Sequence, residues 1–297
     1  MKIFDCFMYF DEEQVLDLRL NVLYQNVDYF VIVESIYNHK GEKRNLLFNS
    51  QKFEKFNDKI IYLVYDKIPQ LVEPIKESDS EKEKDGKYIM NALYRENAQR
   101  DFILEGLKNA KKDDLILISD VDEIPKLSSV NLNHIKNEII LFKQDMFYYK
   151  YNLSLPNFKW TGTKAVKKKN LVSPQWLRNV KDRKYPFYRI DTFFSDKKYI
   201  DIKIINDGGW HFSHLMTPEL LYEKLTNFGH HSEFEQSGLT LEDIKNKVNE
   251  KKVFYNHFAD KTKGDNWNYD YLLKKVDNKI LPEYLISNTN KYKKWLD

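Results

Sequence analysis

Along the first 125 residues, short continuous apolar runs alternate with longer stretches whose apolar positions recur at helical spacing. Residues 2–10 read as a first strand, Tyr29–Glu34 as a second and Ile60–Tyr65 as a third. Between the first two, Asp11 with Gln14 three residues on has the form of a capping box and predicts a helix to about residue 25. A charge run over 76–87 reads as a solvated loop, and a long helix is expected from about Tyr88 to Ala110. A fourth run, Leu-Ile-Leu-Ile over 115–118, then meets Ser119-Asp120-Val121-Asp122-Glu123-Ile124-Pro125. Continuous rather than alternating apolar strands belong to a parallel sheet covered on both faces, and strand–helix alternation implies right-handed crossovers. The predicted fold class is α/β, a Rossmann-like, mostly parallel sheet flanked by helices.

After Pro125 the texture changes. Residues Glu138–Leu155 are aromatic and strand-like, and 164–184 is basic, with Lys164, Lys167, Lys168, Lys169, Arg178, Lys181, Arg183 and Lys184. Ile202–Ile205 leads into Gly208-Gly209-Trp210-His211-Phe212-Ser213-His214. Thr217-Pro218-Glu219 is a helix start, with Thr as cap and Pro at the first position, and Gly229 is its expected stop. The chain is expected to be one domain, 1–297, with a nucleotide-type half over 1–125 and an acceptor-type half with C-terminal helices over 126–297.

Ligands of open α/β sheets bind beyond the carboxyl ends of the strands, where the fourth run places Asp120 and Asp122. Two carboxylates one residue apart can share a hard divalent cation such as Mg²⁺ or Mn²⁺ carrying a diphosphate; the plain alternative is a helix cap, with Pro125 opening the helix. His211, after two glycines that permit close backbone approach, fits a third ligand, with His214 as competitor and an ordinary core histidine as the plain alternative. The bulk numbers add limits. With 20 Tyr, 19 Phe and 5 Trp the chain is aromatic-rich, which suits sugar stacking as well as core packing. A net charge of +3 does not signal nucleic acid. Cys6 is the sole cysteine, so no internal disulfide or cysteine zinc site is expected. With no signal-like or membrane-spanning run, a cytoplasmic location is expected.

The set Val33-Glu34-Ser35, Gly41-Glu42-Lys43-Arg44, Arg95-Glu96, Gln99-Arg100-Asp101, Ser119 to Pro125, Gly209 to Ser213 and Thr217-Pro218-Glu219 resembles glycosyltransferase family 17, the β-1,4-mannosyl-glycoprotein β-1,4-N-acetylglucosaminyltransferase family, over roughly Phe4 to Phe234. The resemblance implies a GT-A fold, an inverting mechanism and a UDP-sugar donor, with UDP-GlcNAc inherited from the family. By position it implies Asp122 as a direct metal ligand, Asp120 as a ligand of metal or donor ribose, and His211 as a ligand from the far side. Glu34 would meet uracil or ribose, or else be a strand-end charge paired with Arg or Lys. Arg95 and Arg100 would face the diphosphate, although five residues on a helix differ by about 140° in azimuth, so both are not expected on one phosphate. Glu96 with Arg100 also has the spacing of a surface pair. Glu123 is placed at the donor sugar. An inverting transfer needs a general base; Glu233 is the first choice and Asp207 its rival. A membrane anchor like that of Golgi-resident members is not expected here. The expected acceptor is therefore an oligosaccharide or lipid-linked glycan in surface glycan or lipopolysaccharide assembly at the inner membrane face. The basic segment and the tail Lys291 to Trp295 would be points of peripheral contact with anionic lipid. The rival functions are a sugar-phosphate nucleotidyltransferase, which would want a Gly-rich loop after the first strand, and a non-catalytic glycan-binding module.

Overall fold

Four strands, β1 (Ile3–Tyr9), β2 (Tyr29–Ser35), β3 (Ile60–Tyr65) and β4 (Leu115–Asp120), form the parallel half of the sheet in the spatial order β3-β2-β1-β4. The computed structural model describes residues 1–186, 188–192, 194–227, 234–235, 237–258 and 267–297. Successive side chains of a strand point to opposite faces, and both faces are covered. Phe7, Ile32, Leu115 and Leu117 pack with Val15, Leu16 and Leu20 of the helix α1 (Glu13–Leu23). Phe4, Cys6, Val31, Val33, Ile116 and Ile118 pack on the other side. There they meet Ile103 and Leu107, beyond the long helix α2 (Glu81–Asp101) and at its short continuation α3 (Ile103–Gly106). This two-sided burial is why the strands lack polar alternation.

The same parity sorts the polar positions. Asp5 points toward α1, where Arg19 meets it in a fully buried two-pronged pair. Ser119 faces Arg19 as well, whereas Asp120, one residue on, faces α2.

The second half is not wholly parallel. The order continues β4-β7-β6-β9-β5 through β5 (Glu123–Pro125), β6 (Ile139–Tyr148), β7 (Leu153–Lys167), β8 (Ile202–Ile205) and β9 (Gly209–Ser213). Strand β7 runs antiparallel to both β4 and β6, while β6 is parallel to β8 and β9, and β5 is antiparallel to β9. The result is a mixed α/β architecture on a mostly parallel sheet. Helix α4 (Pro174–Asn179) lies against β4 and β7. Helices α5 (Pro218–Asn227) and α6 (Leu241–Asn249) build a further core with the hairpin of β10 (Lys252–Tyr255) and β11 (Trp267–Leu272) through Leu221, Leu225, Ile244 and Phe254. A short strand, β12 (Lys274–Lys275), adds to β7, and the helices α7 (Glu283–Ser287) and α8 (Thr289–Tyr292) return the chain to α1.

Some local expectations change. Asp11 and Gln14 form no capping box: Glu12 occupies the cap with no side-chain bond to the first turn, and Gln14 donates to the carbonyl of Leu215 at 2.6 Å. The charged run is helical from Glu81, because Ser80 and Glu83 make the capping box instead. Pro125 opens no helix but ends the strand β5, which removes the helix-cap reading of the aspartates. Thr217 does cap α5, accepting from Leu220 N at 3.4 Å; Gly229 lies outside the described residues.

Candidate active site

The turn between β4 and β5 is built from inside. Arg19 Nη1 donates to the carbonyls of Asp120, Val121 and Glu123 at 3.0, 3.1 and 2.8 Å, while its other nitrogens hold Asp5 and Ser119. A buried guanidinium with every partner present fixes geometry, since leaving any of these groups unpaired would be costly. The turn thereby presents Asp120 and Asp122 at the carboxyl edge of the parallel strands.

Asp120 is gripped by two arginines. Arg100 of α2 donates to Oδ1 at 3.2 Å and Arg178 of α4 to Oδ2 at 2.9 Å. Burial works against ionisation, yet Arg178 and Arg100 hold this carboxyl well below the ordinary carboxylate range. The side chain remains 39% exposed, so lone pairs not used by the arginines stay open to a ligand. Asp122 lies next to His211: Nε2 is 3.3 Å from Oδ2. Burial opposes charge on both, but each favours the ionised form of the other, so the Asp122 carboxyl is depressed and the His211 imidazole raised. His211 comes into reach because β9 pairs with β5 in the register Glu123↔His211. Gly209 makes that pairing possible: at φ +121°, a Cβ there would stand 2.2 Å from the carbonyl oxygen of Ile124.

Glu123 does not offer a free carboxylate to a donor sugar. It is fully buried and accepts from Trp160 Nε1 at 2.6 Å, from Arg178 at 2.6 and 3.0 Å, and from the backbone N of Asp120 at 2.8 Å. Glu34 is likewise saturated, accepting from Arg44 at 2.9 Å, from the backbone N of Leu47 and Phe48 and from Tyr62 OH at 2.8 Å. It is the strand-end charge paired with arginine, and it shapes the 44–48 loop rather than presenting an open acceptor to uracil. Arg95 and Arg100 part ways as their azimuth requires. Arg95 donates to the carbonyl of His39 at 2.9 Å, while Arg100 reaches Asp120, Glu96 and Gln175. Asp207 pairs with Lys126 at 2.7 Å, beyond the Pro125↔Gly209 end of the ladder that carries Glu123 and His211 at its other end. Glu233 lies outside the described residues.

Five residues that the sequence did not single out also serve the site. Arg178 sits in the basic segment, but its contribution is internal, as is that of Lys164, whose Nζ donates to the carbonyls of Arg178 and Val180 and whose pKa burial and Arg178 lower to about 8. This withdraws both from the surface expected to meet lipid. Trp160 anchors Glu123 and leans on His211 with ring centroids 5.3 Å apart. Lys224 of α5 donates to Glu12 at 3.2 Å; burial opposes its charge, and Glu12 and Asp122 sustain it. Arg19 was legible only as one arginine in an amphipathic helix.

The donor set suits a hard cation. Mg²⁺-type sites take one or two carboxylates and complete the shell with water and phosphate oxygens rather than a protein cage. Among the described residues no group of three or more His, Cys, Asp and Glu side chains forms a metal-holding cluster, but two exposed-edged carboxylates one residue apart meet that smaller requirement. No helix among the described residues is long and apolar enough to cross a membrane.

A family model described as glycosyltransferase family 17 matches residues 1–297. Similar proteins include the β-1,4-mannosyl-glycoprotein 4-β-N-acetylglucosaminyltransferases of Homo sapiens and Rattus norvegicus, each 26% identical over 234 residues that cover 73% of this chain. The aligned region is 41% of the human protein and 40% of the rat one, so the chain spans about two fifths of the length of these relatives.

Proposed function

Because the chain belongs to glycosyltransferase family 17, we propose that it is a metal-dependent, inverting enzyme of GT-A type that moves N-acetylglucosamine from UDP-GlcNAc to a glycan hydroxyl. The observation that carries this reading is the Asp120–Asp122 turn at the carboxyl edge of β4, with His211 against Asp122 and two arginines behind Asp120. The family membership supports glycosyl transfer, and the donor, metal and stereochemistry extend that reading.

Asp120 and Asp122 would hold Mn²⁺ or Mg²⁺, with His211 beside them. The bound cation would supply Lewis-acid charge for the departing diphosphate. The chain's own groups do the rest. Lys224 and Arg100 place positive charge at the edge of the site, where a diphosphate would sit. Glu34 keeps Arg44 and the 44–48 backbone in place at the carboxyl end of β2, where the uridine half of the donor would lie. In an inverting transfer the acceptor hydroxyl loses its proton to a carboxylate as it attacks the anomeric carbon in line. Asp207 is committed to Lys126, and Glu233 is retained as the proposed base. The acceptor would be an oligosaccharide or a lipid-linked glycan, with cytoplasmic action at a membrane face as the setting.

The test is a donor screen by UDP release with Mn²⁺, with Mg²⁺ and with chelator. Metal-dependent release from UDP-GlcNAc is expected, with Asp122→Asn lowering turnover by at least about 10²-fold while the protein stays folded. Absence of metal-dependent UDP release from any UDP-sugar, or full turnover by Asp122→Asn, would overturn the reading.

A further inference from the structure

Six-residue α4 connects more of this site than its length suggests. Gln175 meets Arg100, its backbone N donates to Asp101 at 2.7 Å, and Arg178 reaches the turn. All four Nη hydrogens of Arg178 have acceptors: Nη1 donates to Glu123 Oε2 at 2.6 Å and to the carbonyl of Gly162 at 2.8 Å, and Nη2 to Asp120 Oδ2 at 2.9 Å and Glu123 Oε1 at 3.0 Å. Arg178 therefore has no terminal hydrogen left for a ligand, and its side chain is only 13% exposed.

We propose that Arg178 is a positioning residue that acts through Asp120: its planar fork ties the Asp120 carboxylate to the buried Glu123 and so sets the direction in which the exposed edge of Asp120 meets the donor complex. The inference rests on the glycosyl-transfer reading and deepens it.

Three observations support it. Glu123 and Asp120 are two carboxylates brought together by the turn, since Glu123 Oε2 also accepts from Asp120 N at 2.8 Å. Two anions so close repel unless a cation lies between them, and Arg178 occupies that place. The grip is rigid from behind: Glu123 is held by Trp160, and Gly162, whose carbonyl Arg178 uses, has no room for a side chain, a Cβ there lying 1.8 Å from Gln144 Oε1 and 3.0 Å from Glu123 Cδ. Last, Arg100 alone is a weaker guide, because its bond to Asp120 is longer, 3.2 Å, and its Nη2 is shared with Glu96. A lysine at 178 would restore charge but could not bridge two carboxylates and a carbonyl in one plane.

The test is a double-mutant cycle between Arg178→Gln and Asp120→Asn, read both by UDP-release kinetics and by thermal melting, with Arg178→Lys as the conservative variant. Misplacement of a reacting group by about 1 Å costs on the order of 10²-fold in rate. Arg178→Gln should lower kcat/KM to about that extent, Arg178→Lys should restore it only in part, and the loss should largely vanish in the Asp120→Asn background. The same non-additivity should appear in the melting temperatures. Equal kinetic losses in both backgrounds, full activity of Arg178→Lys, or melting shifts that simply add would each overturn the proposal. Wild-type protein without UDP binding or release would instead sink the glycosyl-transfer reading; the melting cycle still decides whether Arg178 acts through Asp120.

Discussion

Two histidines three residues apart on the β9 strand and its exit behave in opposite ways. His211 holds its proton more tightly in the folded protein than its ordinary value near 6.5, because Asp122 outweighs the effect of burial. Its contribution to stability is complete below about pH 6.5 and is lost as pH rises through the raised folded value. His214 is pushed down to about 3 by burial, with Lys224 adding to it. The unfolded chain then binds the proton more tightly, so this contribution is complete above about pH 6.5 and is lost as pH falls toward 3. Melting temperatures from about pH 4 to about pH 9 should show both limbs. His214→Phe is expected to flatten the acid limb and Asp122→Asn the basic one; a limb unchanged by its variant would show that the histidine is not its source. At this scale the chain was half legible. Asp120, Asp122 and His211 stand out as residue types at a telling place. The ties of Glu34 to the backbone of residues 47 and 48, and of Asp120 to an arginine 58 residues later, have no local periodicity that could announce them.

Elements were legible where burial is uniform and misread where polar side chains compete. Ile60–Tyr65 and Leu115–Asp120 lie where their apolar runs put them, since in the second the polar Ser119 and Asp120 come only at its end. The Asp11–Gln14 spacing and the Ser80–Glu83 spacing look alike in sequence. Only the second becomes a capping box: Glu12 takes the backbone of Phe10 and Asp11, and Gln14 is drawn to residue 215 by tertiary packing. The charge run before Tyr88 is helical for the same reason, with Lys84 meeting Glu81 on its surface. Ser80→Ala removes one of the first-turn acceptors of α2, a loss of about 1 kcal/mol. The melting temperature should fall by about 2 °C, with kcat/KM unchanged because Arg100 lies five turns away. A fall in kcat/KM of more than about twofold would show that the first turn of α2 reaches the site.

Across the whole molecule, one sheet draws its strands from both ends of the chain, and the C-terminal segment is stitched to the N-terminal helix. Tyr292 is fully buried and donates to Asp17 at 2.5 Å, Tyr151 donates to the carbonyl of Gln14 at 3.0 Å, and Trp210, beside His211, donates to the carbonyl of Ile280 at 2.6 Å. Tyr292→Ala should cost about 3–5 kcal/mol, and calorimetry should record a melting point roughly 10 °C lower. A shift within about 1 °C would mean that the tail merely rests on α1. The alternation of strand and helix made the parallel half legible; the antiparallel course of β7 was not, because apolar pattern and burial carry no mark of a strand's direction.

Arg19 has a bearing on how this protein can be recombined. The carbonyls that it gathers belong to residues 120, 121 and 123, while the arginine and its partner Asp5 come from the first two elements. A chimera that imports 115–125 from a relative without residues 5–19 inherits two aspartates on a turn with no hub. In shuffling experiments these two distant segments form one heritable block, and crossover points placed between them separate the aspartate turn from the scaffold that gives it shape.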